Sequence, residues 1–329
     1  MVRGLLACVL VVATIVCDAA PARAAKRPGG LAAQNAVRTA AVQTDYRRIP
    51  YVGAISAGEF PSKDGGTNHW RILTTDRADA TAYPASVTKL MTALLVLEDV
   101  AAGRYALTDR IVATPEAYHS EASWVGIKAG QSMTVDDLLM SLLVKSANDA
   151  AIVLGVKSAG SLDAFVERMN ARALELGMAN TRYFNPNGLP PGSPPGTRRS
   201  YPWKEFNRTT AADQLRLAIE VVRHPEVFRY TSTKVAKGVV GGDGNVIQPF
   251  VNHNNILVKD KSKVINPDGS EAVDGLKTGY IDAGGSSIVL TGTRKGRRAI
   301  VVVLGSSTSA VRDERARTLL EDALDVVAW

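Results

Sequence analysis

Cysteine is almost absent from this chain of 329 residues, which has two, Cys8 and Cys17, near its start. The rest of the chain has no thiol, which excludes a cysteine nucleophile, a thiolate metal site and a disulfide there. Histidine is also scarce and shows no metal-ligand spacing, so we predict neither a metal nor a cofactor. The four histidines are His69, His119, His224 and His253.

Long apolar runs and blocks of like charge are lacking too, except for one apolar run at the start. Residues 4–17 are apolar and follow Arg3, and residues 21–25 offer a small-residue cleavage pattern. This predicts a secretory signal peptide over residues 1–24, because the run is shorter than the roughly 20 residues that span a bilayer. An uncleaved anchor is the alternative. We expect export, with the periplasm as destination, and no nucleic-acid binding, since no basic block is present.

The remaining sequence divides into a leader and one domain. Residues 25–48 have no apolar periodicity and are predicted to form a leader that is free to be mobile. Residues 49–329 have strand patterns near both ends and helical patterns between, which predicts an α+β fold. We expect an antiparallel sheet covered by helices, a mostly helical middle subdomain, and neither a C-terminal β-rich domain nor a stable membrane anchor. Strands are predicted at 51–55, 69–75, 286–293 and 297–304, and helices at 86–97, after Thr134, from about 148, between Ser161 and Gly177, at 210–223 and at 310–327.

Three short motifs follow one another along the domain. They are S-x-x-K at Ser86 and Lys89, S-x-N at Ser146 and Asn148, and K-T-G at residues 277–279. By chance the first two are expected about 0.9 and 0.8 times in such a composition, but K-T-G only about 0.08 times. All three in this order are expected in fewer than about one sequence in a hundred. The combination therefore indicates a serine nucleophile site.

The first motif is expected to place a hydroxyl beside an amine. Pro84 precedes a predicted helix, and helical spacing puts Ser86 and Lys89 on one face. An uncharged Lys89 would act as the general base for attack by Ser86, and burial or neighbouring cations would favour that neutral form. Without the other motifs, a plainer interpretation of Lys89 would be a solvated lysine on a helix.

The other two motifs supply groups that a peptide-cleaving site needs. Ser146 is predicted to relay a proton to the leaving amine and Asn148 to bond the amide backbone of the substrate. Both residue types would also suit capping of the helix that follows. Lys277 and Thr278 are predicted to bind a terminal carboxylate. Gly279, which precedes an apolar strand, would let the backbone approach the substrate closely.

This motif set resembles that of penicillin-binding proteins and serine β-lactamases. Over about residues 83–323 the chain resembles the low-molecular-weight D-alanyl-D-alanine carboxypeptidases. The resemblance implies a β-lactamase/transpeptidase-like fold and a serine enzyme that removes terminal D-alanine from peptidoglycan pentapeptides through an acyl-enzyme on Ser86. It also implies an oxyanion hole made by the backbone N–H groups of Ser86 and Tyr280, and β-lactams as covalent inhibitors. The segments that carry the resemblance are 84–92, 146–150, 169–170, 176–178, 184–189 and 274–280.

Three other functions remain open from the sequence. A D,D-endopeptidase would cut peptidoglycan cross-links with the same motifs. Residues 190–207, a Pro-rich surface loop that resembles an insertion, are the feature expected to separate the two activities. A serine β-lactamase needs a glutamate that activates water, and the nearest candidates, Glu167 and Asn170, lie in a predicted helix at the wrong spacing. A catalytically silent wall-binding protein is the third alternative.

Overall fold

The computed structural model describes residues 52–62, 68–115, 123–191, 205–237, 239, 244–246 and 249–329. The predicted signal peptide, the predicted leader and most of the Pro-rich loop lie outside the described residues. Within the described part, no helix is both long enough and apolar enough to cross a membrane.

Five antiparallel strands form the main sheet, in the order β2–β1–β9–β8–β7, and two short ribbons pair β3 with β4 and β5 with β6. β7 is the last strand in this order, so among the described residues no strand pairs with its outer side. The described strands are β1 (Gly53–Phe60), β2 (His69–Asp76), β3 (Arg110–Val112), β4 (Ser132–Thr134), β5 (Val235–Ala236), β6 (Phe250–Val251), β7 (Val273–Ile281), β8 (Gly285–Arg294) and β9 (Arg297–Ser306).

Helices connect the strands and follow the start signals in the sequence. The hydroxyls of Thr134 and Ser161 accept hydrogen bonds from backbone N–H groups of the helices they precede, as predicted for N-cap residues. A 3-10 turn at Ala85–Thr88 leads into the first helix. The described helices are α1 (Lys89–Ala101), α2 (Val135–Leu143), α3 (Asn148–Ala159), α4 (Leu162–Glu175), α5 (Ala211–Val221), α6 (Phe228–Thr231), α7 (Asn255–Val258) and α8 (Ser309–Val327).

Both faces of the sheet are covered, which explains why β8 and β9 have continuous apolar runs in their middle, at residues 288–290 and 299–304, instead of alternating. Along β9, Ile300 and Val302 point into a core shared with the middle helices. Their neighbours Val301 and Val303 point into a second core, shared with α8. Side chains alternate across a strand, so one apolar run serves two cores.

The predicted α+β class is confirmed, and so is the hairpin formed by β8 and β9. Two local predictions need correction. Ser86 does not open an α-helix but lies in the 3-10 turn before α1. K-T-G does not merely precede a strand, because residues 277–279 lie inside β7, a strand that the sequence pattern did not predict. The Gly and Lys residues of β7 carry weak strand preference, and pairing with β8 holds the segment extended.

Candidate active site

A change of helix type brings the first motif together. Ala85 enters the 3-10 turn with a positive φ of 48°. In such a turn residues three apart eclipse one another, so Lys89, the first residue of α1, lies over Ser86. Lys89 Nζ is 2.8 Å from Ser86 Oγ. The serine and the lysine are therefore in direct hydrogen-bond contact.

Lys89 also connects the 3-10 turn at Ala85–Thr88, which holds the candidate nucleophile Ser86 and is called the nucleophile turn below, to two other segments. Its Nζ donates to Asn148 Oδ1 at 2.7 Å and to the Asn187 carbonyl at 2.8 Å. The side chain is fully buried. A solvated helix lysine, the plainer alternative, is therefore wrong for this residue.

The surroundings of Lys89 favour its neutral form. Burial lowers the pKa of Lys89 well below its usual value, the charge of Lys277 lowers it further, and the charge of Asp149 acts in the opposite direction. A neutral amine presents a lone pair to the Ser86 hydroxyl and can accept its proton. The geometry and the charges together suit Lys89 to general-base chemistry.

The second motif forms the bend before α3. Ser146 is buried and has a positive φ of 62°, which is unusual for a residue other than glycine. Ala147 is the N-cap residue, and no side chain caps the helix. The capping alternative is therefore wrong for Ser146 and Asn148. The side chain of Asn148 is bonded to Lys89 instead, which joins the first two motifs.

The third motif lies against the nucleophile turn. Gly279 has no space for a side chain, because a Cβ there would lie 2.7 Å from the Pro84 carbonyl oxygen and 3.1 Å from the Ser86 nitrogen. Lys277 and Thr278 are both buried on the same strand. The edge of β7 thus runs beside the Ser86 backbone, where a substrate could extend the sheet.

The environment of Lys277 disfavours its positive charge. Burial and then the charge of Arg312 lower the pKa of Lys277 to about 7. A buried ammonium with a second cation nearby is stabilised by an incoming carboxylate. The pocket at Lys277 is therefore suited to an anionic group. Tyr280 follows on the same strand with an exposed side chain, whose hydroxyl donates to Asp282 at 2.7 Å.

Arg312 was not among the site residues predicted from the sequence. It lies on α8, is only 4% exposed, and is fixed by two bonds to Asp313 Oδ1, at 2.8 Å from Nε and 2.6 Å from Nη2. A signal was available, because Arg312 falls in helical register with the buried Ala316 and Leu320 on the apolar face of α8. A charged residue on such a face is rare without a specific role.

A cluster of polar side chains braces the nucleophile turn from behind. Asn207 Oδ1 accepts from the Phe184 N–H at 2.7 Å, and its Nδ2 donates to Thr88 Oγ1 and to the Asn185 carbonyl, both at 3.0 Å. In the same loop, a Cβ on Gly188 would lie 1.8 Å from the Ala85 carbonyl oxygen. The backbone of this loop therefore packs directly on the turn that holds the serine.

Replacing Asn207 with Ala is expected to destabilise the protein by about 1–3 kcal/mol, because buried groups lose their hydrogen-bond partners. Denaturant unfolding measures this loss. Asn68→Ala is the matched control, since Asn68 Nδ2 makes an exposed hydrogen bond to Glu59 Oε1 at 3.1 Å, and its effect should stay within about 0.5 kcal/mol. Equal stability of the two variants would contradict the bracing role of Asn207.

Neither residue of the candidate β-lactamase pair is placed to activate water. Glu167 is exposed on α4. Asn170 accepts from the Tyr183 N–H at 2.8 Å and donates to the Tyr183 carbonyl at 2.9 Å. Asn170 therefore holds a loop, and the pair gives no support to a water-activating role.

One group of described residues has side chains close enough together to bind a metal ion: Glu98, Glu220 and His224. Arg172 already pairs with both carboxylates, at 2.8 Å and 2.9 Å. This ion pairing accounts for the cluster, which lies apart from the three motifs.

The family sequence model described as D-alanyl-D-alanine carboxypeptidase matches residues 54–308. The chain belongs to this family. The match begins in β1, ends at the residue before α8, and includes all three motifs. The resemblance inferred from the motifs is thereby confirmed.

Curated relatives are consistent with this family assignment. D-alanyl-D-alanine carboxypeptidase DacF of Bacillus subtilis (strain 168) is 28% identical over 253 residues, which are 77% of this chain and 59% of that protein. D-alanyl-D-alanine endopeptidase of Escherichia coli (strain K12) is 26% identical over 274 residues, 81% of this chain and 78% of that protein. The chain spans 59% to 62% of the length of the first carboxypeptidase relatives that it matches.

Solved structures share the fold. D-alanyl-D-alanine carboxypeptidase DacD from Francisella tularensis is 27% identical with a TM-score of 0.67, covering 84% of this chain and 71% of that chain. Penicillin-binding protein D2 from Listeria monocytogenes, in its ampicillin-bound form, is 26% identical with a TM-score of 0.62, covering 84% of this chain and 98% of that chain. The penicillin-binding-protein fold expected from the motifs is therefore confirmed.

Proposed function

We propose that this protein is a serine-type D-alanyl-D-alanine carboxypeptidase that removes the terminal D-alanine from peptidoglycan peptides. One observation carries the proposal: a fully buried lysine, Lys89, lies 2.8 Å from Ser86 Oγ. This is the arrangement that activates a serine without a histidine. Membership of the family supplies the substrate class.

The first half-reaction is acylation of Ser86. Ser86 Oγ attacks the carbonyl carbon of the penultimate D-alanine, and neutral Lys89 takes the hydroxyl proton. The backbone N–H groups of Ser86 and Tyr280 stabilise the oxyanion. The C–N bond then breaks, and the proton passes through Ser146 to the leaving amine, which departs as D-alanine. Asn148 bonds the amide backbone of the peptide.

The second half-reaction is hydrolysis of the ester on Ser86. Water enters where D-alanine has left and attacks the acyl carbon, and its proton returns to Ser86 Oγ through Lys89. The peptide leaves one residue shorter and the serine is regenerated. No step requires a metal or a cofactor.

Residues of β7 and α8 recognise the free carboxyl end of the substrate peptide. Lys277 and Thr278 bind the terminal carboxylate, and Arg312 adds a second positive charge behind Lys277. Gly279 lets the peptide lie close to the nucleophile turn. The substrate is thus selected by its terminal carboxylate as well as by its scissile bond.

β-Lactams are expected to acylate the same serine, because their strained amide presents a carbonyl and a carboxylate in a comparable arrangement. The Listeria monocytogenes relative was solved with ampicillin bound, which supports this part of the proposal. Activity on peptidoglycan requires export, in agreement with the signal peptide predicted for residues 1–24, and the periplasm is the proposed location.

The decisive experiment incubates the purified protein with fluorescent penicillin and, separately, with a muropeptide that ends in D-Ala-D-Ala. Stoichiometric covalent labelling together with release of D-alanine is expected. Absence of labelling in the folded protein would reject the proposal. Fast, continuous turnover of a chromogenic cephalosporin would favour the β-lactamase alternative.

A cross-linked muropeptide dimer tests the second candidate function. An endopeptidase relative matches this chain, and the three motifs serve both reactions. A carboxypeptidase is expected to act faster on the pentapeptide monomer than on the dimer. The reverse order would identify a D,D-endopeptidase, whereas covalent labelling without either cleavage would identify a silent binder.

Replacing Arg312 with Gln is expected to raise KM for the pentapeptide about 10-fold with a smaller change in kcat, because the carboxylate pocket loses the second positive charge that Arg312 adds near Lys277. Steady-state kinetics measures both constants. Arg315→Gln is the matched control on α8, since Arg315 pairs with Asp76. A KM that is equal in the two variants would contradict the role of Arg312.

A further inference from the structure

Asp149 follows the second motif and is completely buried in the first turn of α3. Its Oδ2 accepts three successive backbone N–H groups, from Val125 at 3.1 Å, Gly126 at 2.9 Å and Ile127 at 3.0 Å. Its Oδ1 accepts from the Ala150 N–H at 3.0 Å. One carboxylate thus binds a whole turn of a neighbouring segment.

The hydrogen-bond pattern favours the ionised form of Asp149. Burial raises the pKa of Asp149, and four backbone N–H donors act against that rise. A protonated carboxyl would need an acceptor for its own hydrogen, and the hydrogen bonds of the described residues give Asp149 donors on both oxygens. Such a ring of donors stabilises the negative form.

The anchored segment is attached to the catalytic motif at a second point. The Asn148 N–H donates to the Ser123 carbonyl at 2.9 Å, and Asn148 Oδ1 accepts from Lys89 Nζ at 2.7 Å. Residues 123–127 are therefore tied to the residue that contacts Lys89. A shift of this segment would displace Asn148 and, through it, the lysine.

Asp149 also opposes the positive charges that face Lys89. Lys277 on β7 acts directly on the pKa of Lys89, and Lys89 and Lys277 both act on that of His253, in the loop before α7. Arg312 on α8 acts on Lys277. Among the described charges that shift the pKa of Lys89, the only anion is Asp149.

We propose that Asp149 is a positioning residue with two separable effects on catalysis: it fixes residues 123–127 beside the second motif, and its negative charge partly offsets the cations around Lys89. The inference rests on the proposed function, in which Lys89 is the base. Removing the charge while keeping the shape should make Lys89 easier to deprotonate, and removing the anchor should slow acylation.

The test is the pH profile of penicillin acylation in wild type, Asp149→Asn and Asp149→Glu. In Asp149→Asn the acid limb should move to lower pH, and the plateau rate should fall about 10-fold, the scale of one lost charged hydrogen bond. Asp149→Glu keeps the charge but displaces the segment, so its plateau should fall while its acid limb stays near that of wild type. If Asp149→Asn does not fold, the plateau rate of Asp149→Glu still tests the anchoring effect.

Asp213→Asn is the matched control. Asp213 is also a buried aspartate that anchors a loop, accepting from the Asn180 N–H at 2.9 Å and the Thr181 hydroxyl at 2.8 Å. Asp213→Asn should leave the acid limb of the acylation pH profile where it lies in wild type. An unmoved limb in Asp149→Asn, or an equal shift in Asp213→Asn, would overturn the inference. A wild type that is never acylated would instead reject the proposed function.

Discussion

Replacing Ser86 with Ala is expected to abolish covalent labelling by penicillin and to lower D-alanine release by at least about 10⁴-fold. In the proposed mechanism this hydroxyl carries the acyl chain, and without it Lys89 Nζ, at 2.8 Å in wild type, has nothing to activate. Intact-mass spectrometry after incubation with penicillin detects the adduct directly. Because Ser86 is only partly buried, the loss of one hydroxyl should leave the melting temperature nearly unchanged.

Ser141→Ala provides the control for serine removal. Ser141 is buried on α2, and its hydroxyl has no hydrogen-bond partner among the described residues. This variant should label stoichiometrically, as wild type does. Penicillin labelling that survives in Ser86→Ala would place the nucleophile elsewhere and remove the basis of the mechanism.

Replacing Lys89 with Met should slow acylation by roughly 10²–10⁴-fold, the range attributed to a general base. The same change should lower the free energy of unfolding by about 1–3 kcal/mol, because Asn148 Oδ1 and the Asn187 carbonyl lose a buried donor. Denaturant unfolding and the rate of penicillin acylation test the two effects separately. A variant that is both slow and strongly destabilised would show that Lys89 acts mainly in folding.

The control for Lys89 is Lys157→Met, on α3. Lys157 is exposed, and its ammonium lies 5.4 Å from the centre of the Tyr105 ring. Its replacement should leave the acylation rate unchanged. The free energy of unfolding should change by no more than about 0.5 kcal/mol.

The pH dependence of the wild type should follow two lysines with opposite requirements. In the proposed mechanism acylation needs neutral Lys89, so kcat should rise as pH increases through the pKa of Lys89, which burial lowers. Carboxylate binding needs charged Lys277, whose pKa is lowered to about 7. KM should therefore rise as pH increases above about 7, although the bound carboxylate holds the proton on Lys277 to higher pH. A profile of kcat/KM with one limb only would contradict this pairing.

Much of the fold could be predicted because its signals are local. Thr134 and Ser161 marked helix starts that the structure places there, and the apolar runs of β8 and β9 marked a hairpin. The sequence pattern does not predict β7, because Gly275, Lys277 and Gly279 interrupt its apolar residues and Gly284 follows shortly after it. Its extended form depends on pairing with β8, a contact that the periodicity of one segment does not contain.

The sequence by itself determined the family, through the three motifs and their order. It also placed Ser86 and Lys89 on one face of a predicted helix, because the two residues lie three apart. Tertiary structure decided the rest. It buried Lys89, placed Asn148 on Lys89 rather than on a helix cap, and brought Arg312 behind Lys277 from a helix at the end of the chain. These features depend on packing between segments distant in sequence, and burial and charge, which set the pKa of a lysine, exist only after that packing has formed.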